Sequence, residues 1–224
     1  MGPELVEAWE SGRARFEPVP WDALPPRTLL EIGSGMGEAL LAAAPVWDLA
    51  IGADVHVRGL AATIRGADTG GLVNVRLCRA DAVDLLRHTV LPGSLAAIHV
   101  WFPDPWPKAR HHKRRLVRPG VAELLARALS PGGELRLATD IGDYAEQMQR
   151  VLASVAELEP AGPGGVVPRP AWRPRTKYER AGLAAGRTPV DLAYRRRLPA
   201  GALYRAPRES KSCSAAASSH RTAD

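Results

Sequence analysis

Cysteine is nearly absent from this chain. Its 224 residues include two, Cys78 and Cys213, far apart and without metal-ligand spacing. That argues against a disulfide framework and against a structural zinc site, and no metal is expected. Long apolar runs are missing too: none approaches the roughly 18 residues a membrane-spanning helix needs. The opening Met-Gly-Pro-Glu-Leu-Val-Glu has neither the basic start nor the apolar core of a secretory signal. A soluble, cytoplasmic protein is the expectation. There is no internal repeat.

Acids are missing from one particular stretch. Residues 109 to 118 read Ala-Arg-His-His-Lys-Arg-Arg-Leu-Val-Arg. Lys and Arg total 30 against 24 Asp and Glu, a net charge of +6 with a pI near 9.8. The excess is clustered: the run from Arg110 to Arg118, then Arg169, Arg173, Arg175, Lys177 and Arg180, then Arg187 with Arg195, Arg196 and Arg197. Such clustering suits phosphate-rich nucleic acid, and equally a solvated basic surface.

What is present is enough for a core. Hydrophobic residues make up 46% of the chain, so global disorder is excluded. Strand-like runs occur at Thr28 to Ile32, Asp48 to Asp54, Asn74 to Cys78, Leu95 to Trp101 and Glu134 to Thr139. Between them lie helical patterns at Glu38 to Ala44, Val57 to Arg65, Ala82 to about His88, and Gly120 to Leu129, with Ile141 to Val155 after the last. Gly66 to Gly71 and Ser130 to Gly133 read as turns, and Gly162 to Gly165 as a linker-like loop before an Arg-rich region. This alternation specifies an α/β fold, a mostly parallel sheet with helices on both faces. Residues 1–26 form an expected N-terminal arm and 27–205 the folded domain with a C-terminal extension. The Ser/Ala-rich 206–224 reads as a disordered tail.

The first strand ends in Glu31-Ile-Gly-Ser-Gly-Met-Gly37. Gly33 and Gly35 let the backbone approach a ligand closely. The spacing is G-x-G-x-G, which fits a dinucleotide site poorly. An acid ahead of the glycines would repel a pyrophosphate but suits a cationic ligand such as S-adenosylmethionine. Asp54 ends the second strand, where ribose hydroxyls are expected, and Asp81 follows the third, where adenine would lie. Each could equally be a turn-forming acid, but three at successive strand ends favour a Rossmann-like, class I S-adenosylmethionine-dependent methyltransferase.

The fourth strand runs into Phe102-Pro-Asp-Pro-Trp-Pro-Lys108. Three prolines remove backbone donors and fix φ, leaving a stiff loop that presents Asp104, Trp106 and Lys108.

Together these segments resemble the bacterial tRNA (guanine-N7)-methyltransferases, which modify a guanine in the tRNA variable loop. The resemblance runs from about Leu29 to Leu192 through LLEIGSGMGEALL, IGADVH, RADAVDLL, FPDPWPKARHHKRRLVRP, LSPGGELRLATDIGDYAEQM and RPRTKYE. It implies methylation of N7 at position 46, with S-adenosylmethionine as cofactor and tRNA as partner, by a monomer or homodimer. It puts Glu31, Asp54, Asp81 and Asp104 in the cofactor site, with Asp104 also catalytic. Lys108, Asp140, Thr176, Lys177, Tyr178 and Glu179 would contact the substrate guanosine and its surroundings. Ala109, Arg110, His111, His112, Lys113 and Arg114 would contact RNA. Asp54 stands where the family commonly has Glu, and Tyr178 where Phe is usual. The arm lacks the family's Arg-rich motif, and Arg180 to Pro189 lacks its Leu-Gly-His.

Guanine N7 carries a lone pair and no proton, so no general base is required. A carboxylate can stabilise the cationic product or accept from guanine N1–H and N2–H₂. Asp104 is expected to position and Asp140 to recognise. Trp106 and Tyr178 could receive the unstacked base, though Trp106 better suits packing, and His56 and His99 read as packed. The alternatives are a methyltransferase acting on another RNA or a small molecule, and a non-catalytic RNA-binding module.

Overall fold

A computed structural model describes residue 19 and residues 21 to 199. The expected tail at 206–224, and the arm apart from Val19 and residues 21 to 26, lie outside the described residues. Val19 is buried, and Trp21 and Leu24 pack beside it against the main core.

Seven strands form one sheet: β1 (Thr28–Ile32), β2 (Leu49–Asp54), β3 (Val75–Arg79), β4 (Leu95–Trp101), β5 (Leu129–Thr139), β6 (Leu158–Pro160) and β7 (Val190–Arg196). The helices are α1 (Glu38–Ala43), α2 (Val57–Thr69), α3 (Ala82–His88), α4 (Pro119–Ala128), α5 (Gly142–Ala153) and α6 (Lys177–Ala184). The strand order is β3-β2-β1-β4-β5-β7-β6. The first five are parallel, and β7 runs antiparallel to both β5 and β6.

Successive strand residues point to opposite faces. Leu29, Ala50, Leu77 and Ala97 therefore meet Leu40, Leu60 and Ile64 of α1 and α2 on one face. Leu30, Ile51, Ile98 and Leu137 meet Leu86, Leu125 and Met148 of α3, α4 and α5 on the other. Because the chain crosses from β3 back to β4 beside β1, a crevice opens at the carboxyl ends of β1 and β4. Such reversals of strand order are where open α/β sheets bind ligands.

Three expectations need correction. Helix α2 continues through Gly66 to Thr69 instead of turning, because Gly66 faces Leu41, whose Cδ1 would lie 2.5 Å from any added Cβ. Ser130 to Gly133 belongs to β5, where the ladder with β4 shifts register between Leu95 and Ala97. Gly162 to Gly165 is no linker: it packs on β7, and Tyr194 Oη donates to the Gly164 carbonyl at 3.2 Å. The Arg-rich region beyond it contains α6 and β7, which close the sheet. Among the described residues, no helix is long and apolar enough to cross a membrane.

Candidate active site

The glycine loop leaves β1 with Gly33, Gly35 and Gly37 all at positive φ, 71°, 54° and 80°. Gly33 N–H donates to the Ala53 carbonyl at 2.8 Å, and Gly35 N–H to Asp54 Oδ2 at 2.8 Å. Asp54 Oδ1 accepts from His56 N–H at 2.8 Å. Asp54 thus ties the loop to the start of α2, with lone pairs left over for a ligand. Gly59 completes the approach, since a Cβ there would meet the Gly35 carbonyl oxygen at 2.2 Å.

These elements wall a cavity of about 400 Å³, within the range of small-molecule sites. Glu31, Gly33, Gly35, Met36, Asp54 and His56 line one side; Trp101, Phe102, Pro103 and Asp104 line another. Thr176, Lys177 and Tyr178 close it from α6 and its cap.

Glu31 is 2% exposed, and its Oε2 has no hydrogen-bond partner. Burial pushes its carboxyl up to about 8, against the opposing pull of the Trp101 indole, the Leu40 backbone and the Arg173 guanidinium. An orphaned acceptor of this kind at the end of a cavity calls for a cationic donor. Asp104 differs: it is exposed at the cavity wall, with no hydrogen-bond or ion-pair partner among the described residues.

The loop carrying Asp104 is strained and braced. Phe102 and Trp106 take positive φ values of 51° and 42° without being glycine, at about 1 kcal/mol or more each. Phe102 N–H donates to the Ala138 carbonyl at 2.8 Å. Arg115 Nε donates to the Pro105 carbonyl at 2.8 Å, next to Asp104. Arg115 is 1% exposed, held by Asp143 at 2.6 Å and Gln147 at 2.8 Å, with its guanidinium 4.7 Å from the Tyr144 ring centre. It is a brace inside what reads in sequence as a solvent-facing run. Trp106 is half-buried under Arg114, 4.9 Å from its ring, and edge-on to His111; it does not line the cavity.

The remaining expected site residues are placed as follows. Asp81 lies outside the cavity wall and caps α3, its Oδ1 accepting from Val83 N–H at 2.8 Å and Asp84 N–H at 3.2 Å. Asp140 is off the wall and paired with Arg187 Nε at 2.6 Å. Thr176 Oγ1 accepts from Glu179 N–H at 3.3 Å and caps α6. Tyr178 is 63% exposed. Glu179 points inward, 1% exposed, against Arg169 at 2.7 Å and Arg173 at 3.7 Å. Lys108 is exposed and precedes a 3-10 turn, Ala109–Arg114, in which no residue is buried. His112 lies 3.7 Å from Asp143, and Arg110 Nε donates to His111 at 3.3 Å.

A buried polar group beneath the cavity escapes sequence reasoning altogether. Glu31, His99 and Arg136 are register neighbours across β1, β4 and β5. Trp172 stacks on His99 at 5.4 Å, and His99 is pushed down to about 3 by burial and by Arg136 and Arg173, so it is neutral. Arg173 lies fully buried over Trp101, bonded to Asp191 at 3.0 Å. Arg169 and Arg173, which read in sequence as phosphate ligands, instead hold acids. Only the Trp101-Phe-Pro-Asp104 neighbourhood could have signalled this.

A seven-stranded sheet with this order, a glycine loop at the β1 end and a buried acid beneath it define a class I S-adenosylmethionine-dependent methyltransferase. Solved structures agree at the level of fold. A 16S rRNA (adenine(1408)-N(1))-methyltransferase from Catenulisporales acidiphilia superposes with a TM-score of 0.52 at 19% identity, covering 91% of this chain and 96% of that one. Geranyl diphosphate C-methyltransferase from Streptomyces coelicolor does so with a TM-score of 0.53 at 15% identity, covering 85% and 75%. Residues 26–192 match the family described as "Putative methyltransferase". The tRNA (guanine-N(7)-)-methyltransferase of Nocardioides sp. is 54% identical over 172 residues, 75% of this chain and 67% of the relative. That of Thiobacillus denitrificans is 44% identical over 200 residues, 88% and 86%. The chain belongs to the tRNA (guanine-N7)-methyltransferase family.

Proposed function

We propose that this chain transfers the methyl group of S-adenosylmethionine to N7 of guanine 46 in the variable loop of tRNA, forming 7-methylguanosine. The observation that carries this reading is one cavity with two unlike carboxylates. Glu31 at its buried end has one oxygen, Oε2, without a donor, and Asp104 at its mouth lacks any partner among the described residues. The first suits the ammonium of the cofactor, with the glycine loop and Asp54 along its length. Asp81 would reach the adenine from the head of α3.

When bound, S-adenosylmethionine would supply an electrophilic methyl on a sulfonium, with neutral S-adenosylhomocysteine as the leaving group when the N7 lone pair displaces it. No proton is moved, so the chain's residues have only to align the guanine, keep water out and stabilise charge. Asp104 would face the purine as it becomes cationic, on a loop whose rigidity comes from three prolines and the Arg115 brace. Tyr178 offers an exposed ring for the unstacked base, with Thr176 and Lys177 beside it. Asp140 is committed to Arg187, so Asp104 is the carboxylate free to meet the guanine, and Asp140 serves by holding α6. Glu179 acts from within, setting the position of that same turn. Lys108 and the Ala109–Arg114 turn present cations to the RNA backbone.

Labelled methyl transfer into unmodified bulk tRNA, followed by nucleoside analysis, tests the reading. 7-Methylguanosine supports it. Cofactor binding without labelled RNA would move the substrate to a small molecule, and failure to bind cofactor would leave an RNA-binding module.

A further inference from the structure

The segment from Arg169 to Arg175 packs on β4, where Trp172 stacks on His99 and Arg173 lies over Trp101, and it feeds directly into Thr176 and α6. Its central residue, Arg173, is 1% exposed. A guanidinium taken so far from water is tolerated only when paired. Here Nη2 reaches Asp191 at 3.0 Å and Glu179 at 3.7 Å, and the plane lies 4.5 Å from the Trp101 ring and 5.3 Å from Phe102.

The pairing is incomplete. Arg173 Nε and Nη1 have no acceptor, Trp101 Nε1 and Glu31 Oε2 have no partner, and Asp191 Oδ1 has no donor. Glu31 and Trp101 both line the cavity. Arg173 and Asp191 lie behind that wall, with Arg173 stacked on Trp101 and its charge felt at Glu31. The Arg173 Nη2 that bonds Asp191 also reaches Glu179, in the first turn of α6 next to Tyr178. A second tie runs parallel: Glu38, first residue of α1, accepts from Lys177 N–H at 3.0 Å and from Arg180 Nη2 at 3.3 Å.

We propose that Arg173 is a positioning residue that couples the Glu31 end of the cofactor cavity to the turn bearing Thr176, Lys177 and Tyr178, so that a bound cationic amino group tightens the tRNA site. This rests on the methyltransferase reading above. With the cavity empty, Glu31 is neutral and Arg169 and Arg173 balance Glu179 and Asp191. A ligand ammonium favours ionised Glu31 and adds one charge of each sign, and the new carboxylate charge attracts the Arg173 guanidinium behind Trp101. Charged and titratable groups facing Glu31 are few. Arg173 and neutral His99 are its neighbours, with Arg136 paired to Glu134 one strand further and Arg169, Glu179 and Asp191 behind Arg173.

The test is the affinity for unmodified tRNA with and without saturating S-adenosylhomocysteine, which keeps the amino end and prevents turnover. The wild type is expected to bind tRNA at least about fivefold more tightly with it. Arg173→Gln brings that ratio to about one and moves the midpoint of the pH dependence of S-adenosylhomocysteine binding upward, since the charge that favours ionised Glu31 is gone. Arg173→Lys keeps the charge but cannot span both acids over Trp101, so it folds and retains less than half the coupling in free-energy terms. A wild-type ratio of one overturns the proposal without any variant. So does a folded Arg173→Gln or Arg173→Lys protein that loses thermal stability yet keeps the full ratio, the behaviour of a merely structural arginine. Absence of 7-methylguanosine from wild-type reactions would instead overturn the methyltransferase reading, so the two failures are separable.

Discussion

With the cofactor's amino end at Glu31, as proposed, binding should move a proton there. With its carboxyl at about 8 rather than 4.5, roughly a tenth of the empty protein is ionised there at pH 7. A ligand ammonium selects the ionised form, so binding releases close to one proton at that pH. Affinity then rises about eightfold from pH 6 to 7. From 7 to 8 the gain shrinks to about two- to threefold, because the ligand's own α-amino group, ordinarily near 7.7–8.0, is losing its charge, and above that affinity falls again. Calorimetry in two buffers of different ionisation enthalpy measures the proton directly. Glu31→Gln should abolish the release and weaken S-adenosylhomocysteine binding at pH 8 by about ten- to a hundredfold, the worth of a charge-assisted hydrogen bond. The sign for stability is opposite. A folded carboxyl raised above its unfolded value is unpenalised below about 4.5 and loses stability as pH rises toward about 8. The ligand-free wild type should therefore weaken over that window by a few kcal/mol, and Glu31→Gln should not. Proton release near zero at pH 7, or affinity flat from pH 6 to 8, would refute the reasoning.

Asp104→Asn removes the free charge facing the purine; kcat should fall by about a hundredfold or more with tRNA affinity intact. Near-normal turnover would end its assignment as catalytic. Gly59→Ala drives a methyl group into the Gly35 carbonyl oxygen, 2.2 Å from the new Cβ, so cofactor binding should be lost in a protein that still folds by circular dichroism. Unchanged binding would show that the loop can shift freely. Lys108, Lys113, Arg175 and Lys177 have no ion-pair acid among the described residues. tRNA affinity should accordingly fall steeply with salt, and Lys113→Ala should lower the log–log slope by about 0.7 to 0.9; an unchanged slope places Lys113 off the RNA path.

The first half of the fold was legible because its signals are local. Thr28 to Ile32 and Leu95 to Trp101 announce strands by composition and end in residues that cannot continue them. The glycine loop, Asp54 and the proline loop were readable for the same reason: each function follows from a few consecutive residues. The second half was not. Strand β7 alternates Asp191 and Ala193 against Leu192 and Tyr194, but its polar face is buried under Arg173 instead of lying in water. Arginine reads as surface until its partners are known. Arg115, Arg169 and Arg173 find theirs 28, 10 and 18 residues away, separations that no local pattern reveals. Local sequence could not show that Asp140 and Glu179 are each already paired with an arginine.

The central claim is that N7 of guanine 46 is the nucleophile, assisted by charge and placement without a base. Replacing that guanine with 7-deazaguanine in otherwise unmodified tRNA substitutes a C–H for the lone pair and leaves the base-pairing edge intact. The account predicts unchanged tRNA affinity and no methyl transfer. Label incorporated at an undiminished rate would contradict it.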